Sequence, residues 1–242
     1  MKNYLIGRNS LWEVLRFTPE RIIRVYALQA PGDVRSKKIL ELIEKQGLPV
    51  EYTHKKKLFD LVLSESHQGF VAELKPRNYL DLKLYLERSV QTEKKELAIM
   101  LDSVFDPQNF GAILRAAECF GAAVLVFSKN RGCEITPVVT KVSSGASELL
   151  EIIQVANLAE SVKRFQKAGF EAIVADADLK AKSLFQYEFS AKTLLILGSE
   201  DKGVQPLIRS LADGIVKIPL KGRIDSLNVS QAAAVFLAFA GL

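Results

Sequence analysis

Three stretches of the chain combine polar, charged and glycine residues at the ends of apolar runs. The first, Leu101-Asp102-Ser103-Val104-Phe105-Asp106-Pro107-Gln108-Asn109-Phe110-Gly111, leads into a helical pattern that carries Arg115. Asn109 at a helix start reads either as a cap or as a polar group of a site. Arg115 lies between one and two turns further along. The second, Leu197-Gly198-Ser199-Glu200-Asp201-Lys202-Gly203-Val204, sets two carboxylates and a lysine between glycines, which let a backbone approach a ligand closely. The third runs from Ile218-Pro219-Leu220 through Gly222 to Ser226-Leu227-Asn228-Val229-Ser230. Ser226 and Asn228 stand where an N-cap of a final helix would stand. Together these loops suit a ligand site. The fingerprints of other α/β sites are missing: there is no GxGxxG after a strand, no GxxxxGK[ST], no HExxH and no GxSxG.

The elements that must position these loops are legible as periodicity. Apolar runs at 97–101, 122–127, 152–155, 172–175, 194–197 and 215–218 resemble strands buried on both faces. Helical patterns lie between and after them, at 110–120, 137–145, 158–168, 205–211 and 228–240. This alternation predicts an α/β fold with a mostly parallel sheet covered on both sides, whose ligands bind beyond the carboxyl ends of the strands. The front of the chain predicts a smaller α/β unit. Its helices fall at 9–17, 35–46 and 57–63, and its extended segments at 22–28, 50–53 and 69–74. Lys75-Pro76-Arg77-Asn78-Tyr79 breaks that pattern, and a polar, helical stretch at 80–96 follows. The expected organisation is a domain over 1–76, a linker over 77–96 and a second domain over 97–242.

Composition narrows the function classes. With 48% hydrophobic and 25% charged residues in 242, the chain reads as globular. No apolar run approaches the roughly 20 residues of a membrane span. The opening Met1 to Arg8 lacks the apolar core of a signal peptide, so a cytoplasmic protein is expected. Cys119 and Cys133 form no CxxC pair, and His54 and His67 stand apart from any acidic or cysteine cluster, so neither a disulfide framework nor a metal is expected. Net charge is +5, and residues 1–76 hold 13 Lys and Arg against 9 Asp and Glu, whereas residues 97–242 hold 15 of each. A surplus at the front suits a phosphate backbone as partner, and equally a solubilising surface.

In order and spacing, the three loops resemble the signature motifs of the SpoU (TrmH-like) family of RNA ribose 2′-O-methyltransferases, in the SPOUT superfamily. Asp106-Pro107-Gln108-Asn109-Phe110-Gly111-Ala112-Ile113-Leu114-Arg115-Ala116-Ala117 is similar to motif one, Gly198-Ser199-Glu200 with Gly203 to motif two, and Ile218-Pro219-Leu220 with Ser226-Leu227-Asn228-Val229-Ser230 to motif three. Gly7-Arg8-Asn9-Ser10-Leu11-Trp12-Glu13-Val14-Leu15 and His67-Gln68-Gly69 resemble the substrate-binding domain of the ribosomal branch. Asp201-Lys202, where a glycine commonly follows the glutamate, and Arg223-Ile224-Asp225 depart from the pattern.

The resemblance implies a SPOUT domain with a deep trefoil knot, an exception to unknotted topology, preceded by a small ribosomal protein L30e-like domain. It implies a homodimer that uses S-adenosyl-L-methionine to methylate a guanosine ribose in large-subunit (23S) ribosomal RNA. Backbone groups near Gly198, Ile218, Leu220 and Leu227 would hold the cofactor, and Asn109, Arg115, Glu200, Ser226 and Asn228 would form the catalytic pocket. A guanidinium stays protonated, so Arg115 is expected to clamp phosphate and stabilise oxyanion charge, with Glu200 the alternative proton acceptor. Arg8, Arg16 and the Lys55-Lys56-Lys57 run are expected to hold RNA, or in the last case to be a solvated helix end. A transfer-RNA ribose methyltransferase and a noncatalytic ribosome-assembly factor are the alternatives.

Overall fold

The computed structural model describes residues 3–29, 33–178 and 180–241, so Met1 and Lys2 of the opening stretch lie outside the described residues. Two compact units emerge, one from the chain up to Asn78 together with Ile135–Leu149, the other from Tyr79–Glu134 and Leu150 onward.

In the first unit, β1 (Asn3–Ile6), β2 (Ile22–Leu28), β3 (Val50–Thr53) and β4 (Phe70–Leu74) form a sheet ordered β1-β4-β2-β3. The β1/β4 and β4/β2 pairs are antiparallel and β2/β3 is parallel. The two-residue period of the strands divides their side chains between two faces. Val25, Ala27, Phe70, Ala72 and Leu74 pack with Leu11, Val14 and Leu15 of α1 (Arg8–Phe17) and Ile39 and Ile43 of α2 (Val34–Lys45), while Tyr26 and Val71 pack with Leu58 of α3 (Lys55–Val62). Strand β1 is absent from the periodic pattern, because its four residues end at once on Gly7 (φ 91°).

The segment 135–149 supplies α6 (Pro137–Val142) and a 3-10 turn, Ala146–Glu148, instead of the single helix 137–145 that the pattern predicts. Left-handed Ser144 and Gly145 divide the two. The Glu148 carboxylate, 1% exposed, anchors this segment. Arg21 donates to it through Nε and Nη2, both at 3.1 Å, and Arg77 donates through Nη2. Arg77 Nη1 also donates to the Ser147 carbonyl at 2.6 Å.

The second unit is a seven-stranded parallel sheet ordered β7-β6-β5-β10-β8-β11-β9. Its strands are β5 (Glu96–Leu101), β6 (Val124–Ser128), β7 (Ile152–Val155), β8 (Glu171–Ala175), β9 (Lys182–Ser183), β10 (Lys192–Leu197) and β11 (Gly214–Lys217). The two-residue β9 is too short to show periodicity. On one face, α4 (Leu82–Val90), α7 (Leu158–Lys167) and α8 (Pro206–Leu211) bury Tyr85, Leu86, Val162, Phe165 and Ile208 against Ala98, Met100, Val126, Val174 and Ile196. The stretch 80–96 is thus one nine-residue helix set into this core, ended before β5 begins at Glu96. On the other face lie α5 (Pro107–Cys119) and α9 (Val229–Ala240), which pack on each other. There Phe110 meets Phe127 edge to face at 5.3 Å.

Strand β10 enters between β5 and β8, in register with Glu96 to Leu101 on one side and Glu171 to Val174 on the other. This reversal of strand order is a topological switch point, where ligands bind in open α/β sheets. The loops after β5, β8, β10 and β11 converge there.

Removing one partner of a buried ion pair leaves a charge uncompensated and costs about 3–5 kcal/mol. Glu148→Ala should therefore lower the urea-unfolding free energy of the first unit by about 3 kcal/mol. A change below about 1 kcal/mol, the range of exposed pairs, would mean that the two arginines do not anchor 135–149.

Candidate active site

The first loop ends in a capped helix. Asp106 is the N-cap of α5, accepting from the backbone N–H of Gln108 at 3.1 Å and of Asn109 at 3.4 Å, and Pro107 occupies the first helical position. The capping alternative for Asn109 is therefore wrong, because Asp106 already fills that role. The buried Asn109 side chain turns to Glu200 instead, donating Nδ2–H to Oε1 at 3.2 Å.

The second loop is closed on itself. Ser199 N–H donates to the Gly203 carbonyl at 3.2 Å and Gly203 N–H to the Ser199 carbonyl at 2.9 Å. Glycine is required at both ends. A Cβ at Gly198 would lie 2.1 Å from the Gly203 carbonyl carbon, and Gly203 is left-handed at φ 62°. Glu200 projects from this closed turn.

In the third loop, Asn228 serves both readings of its position. Its Oδ1 caps α9 by accepting from Ser230 N at 2.9 Å and Ser230 Oγ at 2.6 Å. Its Nδ2 donates to Asn109 Oδ1 at 3.0 Å and to Glu200 Oε1. The Val229 N–H, at the start of α9, also reaches Glu200 Oε1 at 3.3 Å, where a helix N-terminus favours negative charge. One carboxylate oxygen thus gathers three donors, while Oε2 of Glu200 has no hydrogen bond among the described residues.

Below this cluster lies a cavity of about 370 Å³, within the range of small-molecule sites. Gly198, Ile218, Leu220 and Leu227 line it, as do Glu200 and Ser226. Asn109 and Asn228 stand behind Glu200. Arg115 is not brought into the cluster: it is exposed on α5, six residues beyond Asn109, with no hydrogen bond or ion pair among the described residues.

Asp176, Lys217 and Phe236 line the cavity from outside the three loops. Asp176, just past β8, faces the cavity and is fixed by Arg209 of α8, whose Nη1 bonds Asp176 and whose Nη2 donates to Asp178 Oδ2 at 2.6 Å. Lys202, Lys217 and Asp225 add charge, and Phe236 of α9 adds an apolar wall. The rule that ligands lie beyond carboxyl ends of strands points to the turn after 172–175, and hence to Asp176. Among the described residues no three His, Cys, Asp or Glu side chains group as metal ligands, and no helix is long and apolar enough to cross a membrane.

In the first unit, Arg8 Nη1 is paired with Asp33 at 2.7 Å. Lys57 bonds Glu51, whereas Lys55 and Lys56 are exposed. Arg16 lies over the rings of Trp12 at 5.9 Å and Phe17 at 4.9 Å, and Phe17 is 58% exposed. A guanidinium beside an exposed ring is a surface that nucleotides can stack on.

The fold agrees with comparisons to known proteins. Residues 96–238 match the model of the SpoU rRNA methylase family, and residues 4–80 match that of the RNA 2′-O ribose methyltransferase substrate-binding domain. The chain belongs to the SpoU rRNA methylase family. It is similar to the 23S rRNA (guanosine-2′-O-)-methyltransferase RlmB of Acinetobacter baylyi, at 35% identity over 97% of this chain and 94% of the relative. The SpoU methyltransferase AviRb of Streptomyces viridochromogenes, solved with AdoMet, shares the fold at TM-score 0.78 and 20% identity, over 99% of this chain and 88% of that one. The TrmH/SpoU tRNA modifying enzyme of A. aeolicus matches 67% of this chain and 83% of its own at 26% identity and TM-score 0.56.

Gly198 and Gly222 give a paired test of the closed turn. A methyl at Gly198 strikes backbone, whereas at Gly222 the nearest atom is 3.9 Å away. In urea unfolding, Gly198→Ala should cost about 1–3 kcal/mol and Gly222→Ala no more than about 0.5 kcal/mol. Equal effects would contradict the close approach of Gly198 to Gly203.

Proposed function

We propose that this protein uses S-adenosyl-L-methionine to methylate the ribose 2′-hydroxyl of a guanosine in large-subunit ribosomal RNA. The observation that carries this reading is the Glu200 carboxylate, held on one oxygen by Asn109, Asn228 and Val229 at the rim of a cofactor-sized cavity. The substrate follows from full-length similarity to the RlmB relative.

The cavity suits the cofactor chemically. Leu197, Ile218, Leu220, Leu227 and Phe236 offer apolar walls for an adenine, Asp176 and Glu200 offer negative charge for its cationic groups, and Lys202 and Lys217 line the same space as a carboxylate would require. When bound, S-adenosyl-L-methionine supplies a methyl group already activated on a sulfonium. The protein's work is then to align the ribose hydroxyl and take its proton. Glu200 Oε2 is the acceptor, since Oε1 is occupied by the donors that fix the carboxylate. Arg115, exposed on α5 outside the Glu200 cluster, keeps its proton and holds a phosphate of the RNA. Ser226, on the cavity rim, orients the ribose.

In this reading residues 1–76 form the RNA-holding domain, with Arg16 and its rings, Arg8, Lys55 and Lys56 toward the RNA. Residues 77–96 lead out of it, with α4 already in the core of the methyl-transfer unit, and 97–242 complete that unit apart from 135–149. The C-terminal segment is drawn into a trefoil knot around the cofactor loops, and the protein works in the cytoplasm as a homodimer. The pairing surface is α9 with the end of α5: Phe120 and Phe239 are 43% and 41% exposed, and the Phe185 ring lies tilted against Phe239 at 5.2 Å. An exposed aromatic patch of this kind marks an interface.

Mass spectrometry of ribosomal and transfer RNA nucleosides from cells with and without the gene checks the proposal. The expected result is loss of one 2′-O-methylguanosine from large-subunit RNA. Loss confined to transfer RNA would move the substrate, and no loss in either pool would contradict the reaction.

A further inference from the structure

A second cavity, of about 340 Å³, opens in the methyl-transfer unit beyond the carboxyl ends of β6 and β7 and against α8. One wall is polar, with Ser128, Asn130, Arg131, Asn157 and Gln205, and the other is apolar, with Leu158, Leu207 and Ile208. Among the described residues, no carboxylate lines it. Arg131 is exposed and has no ion pair among the described residues, whereas Arg88 and Arg209 of the same unit each meet a carboxylate. The one hydrogen bond of its guanidinium among the described residues, from Nη1 to Gln205 Oε1, joins a neutral acceptor and leaves most of the five-donor fork open.

The fork is nonetheless held in place. Ser128 Oγ accepts from the backbone N–H groups of Asn130 and Arg131, both at 3.2 Å, and so fixes the turn that carries the arginine. Gln205 in turn is pinned by Asp102, whose carboxylate accepts from Gln205 N at 2.7 Å and from Gln205 Nε2 at 2.6 Å. Asp102 is fully buried, and its own N–H donates to the Leu197 carbonyl at 2.9 Å. A chain of bonds therefore runs from Arg131 through Gln205 and Asp102 to the strand end from which the Glu200 loop departs.

A preorganised, uncompensated guanidinium in a pocket without acids is suited to a phosphate, which it binds bidentately. We propose that this cavity is a second RNA subsite, taking the backbone phosphate of a nucleotide beside the methylated one, with the nucleoside against Leu158 and Leu207. The proposal rests on the reading of the protein as an RNA methyltransferase. Its role would be to set the register of the strand: phosphate contacts position a nucleic acid without reading its sequence. Through Gln205 and Asp102, the bound phosphate also braces the loop that bears Glu200.

Salt dependence separates a phosphate contact from a merely structural role, since each phosphate neutralised adds about 0.7–0.9 to the slope of log affinity against log salt. The full chain is titrated with a large-subunit RNA transcript at several salt concentrations and, separately, with S-adenosyl-L-methionine. For Arg131→Ala we expect a slope shallower by about one, a weaker RNA affinity at low salt, and cofactor affinity within twofold of wild type, about 0.4 kcal/mol. Arg131→Lys, which keeps the charge, should restore the slope. An unchanged slope in Arg131→Ala, or an equal loss of cofactor binding, would overturn the subsite. Failure of the wild-type protein to bind the transcript would instead overturn the functional reading beneath it.

Discussion

Three chain segments far apart in sequence meet on one atom, Oε1 of Glu200. Donors from α5, from the loop before α9 and from the first turn of α9 converge on it, at sequence separations of 91, 28 and 29 residues. Hydrogen bonds to an ionised acceptor are roughly twice as strong as neutral ones, and they fix the carboxylate's rotation. Without this acceptor the Asn109 and Asn228 amides would face each other with unmatched donors, and the rim of the cavity would have no fixed shape. The site depends on this shared carboxylate more than on any apolar contact.

The sheet makes that meeting possible. Insertion of β10 between β5 and β8 puts the carboxyl ends of β5 and β10 side by side, so that Asp102 and Leu197 can bond and the loops that follow must run together. The Gly198 to Gly203 turn then has to be tight, because Val204 and Ile208 immediately afterwards return to the core. Close backbone contact in that turn, which only glycine permits at Gly198, points Glu200 outward at the rim. Fold, turn and site geometry are therefore successive consequences of one strand order.

Much of this was legible in the residues. Buried strands such as 97–101 and 194–197 announce themselves because both of their faces are apolar, and the polar loops stand out against them. Roles were less legible than positions. Asn109 and Asn228 look alike as residues near a helix start, yet only Asn228 caps its helix, because Asp106 stands before Asn109 and takes the capping geometry. Asp176 belongs to no motif; its one sequence signal is its place after the apolar run 172–175, and the pairing of β8 with β10 and β11 brings that turn to the cavity. The attachment of 135–149 to the first unit was invisible, since it hangs on Glu148 meeting Arg21 and Arg77 across 127 and 71 residues. Short β9 escaped because two residues cannot display a period.

The most direct test of the shared carboxylate is single-turnover methyl transfer by Asn228→Asp with saturating RNA and cofactor. Aspartate caps a helix about as well as asparagine, so α9 should be kept. The substitution removes the Nδ2 donor and sets a second carboxylate against Glu200, with like charges disfavouring ionisation of both. Our account predicts a rate lower by about 10²-fold or more, the scale of a lost oriented catalytic group, in a protein that stays folded with about 1–2 kcal/mol less stability. A near-normal rate in the folded variant would contradict the claim that Asn228 orients Glu200 for the reaction.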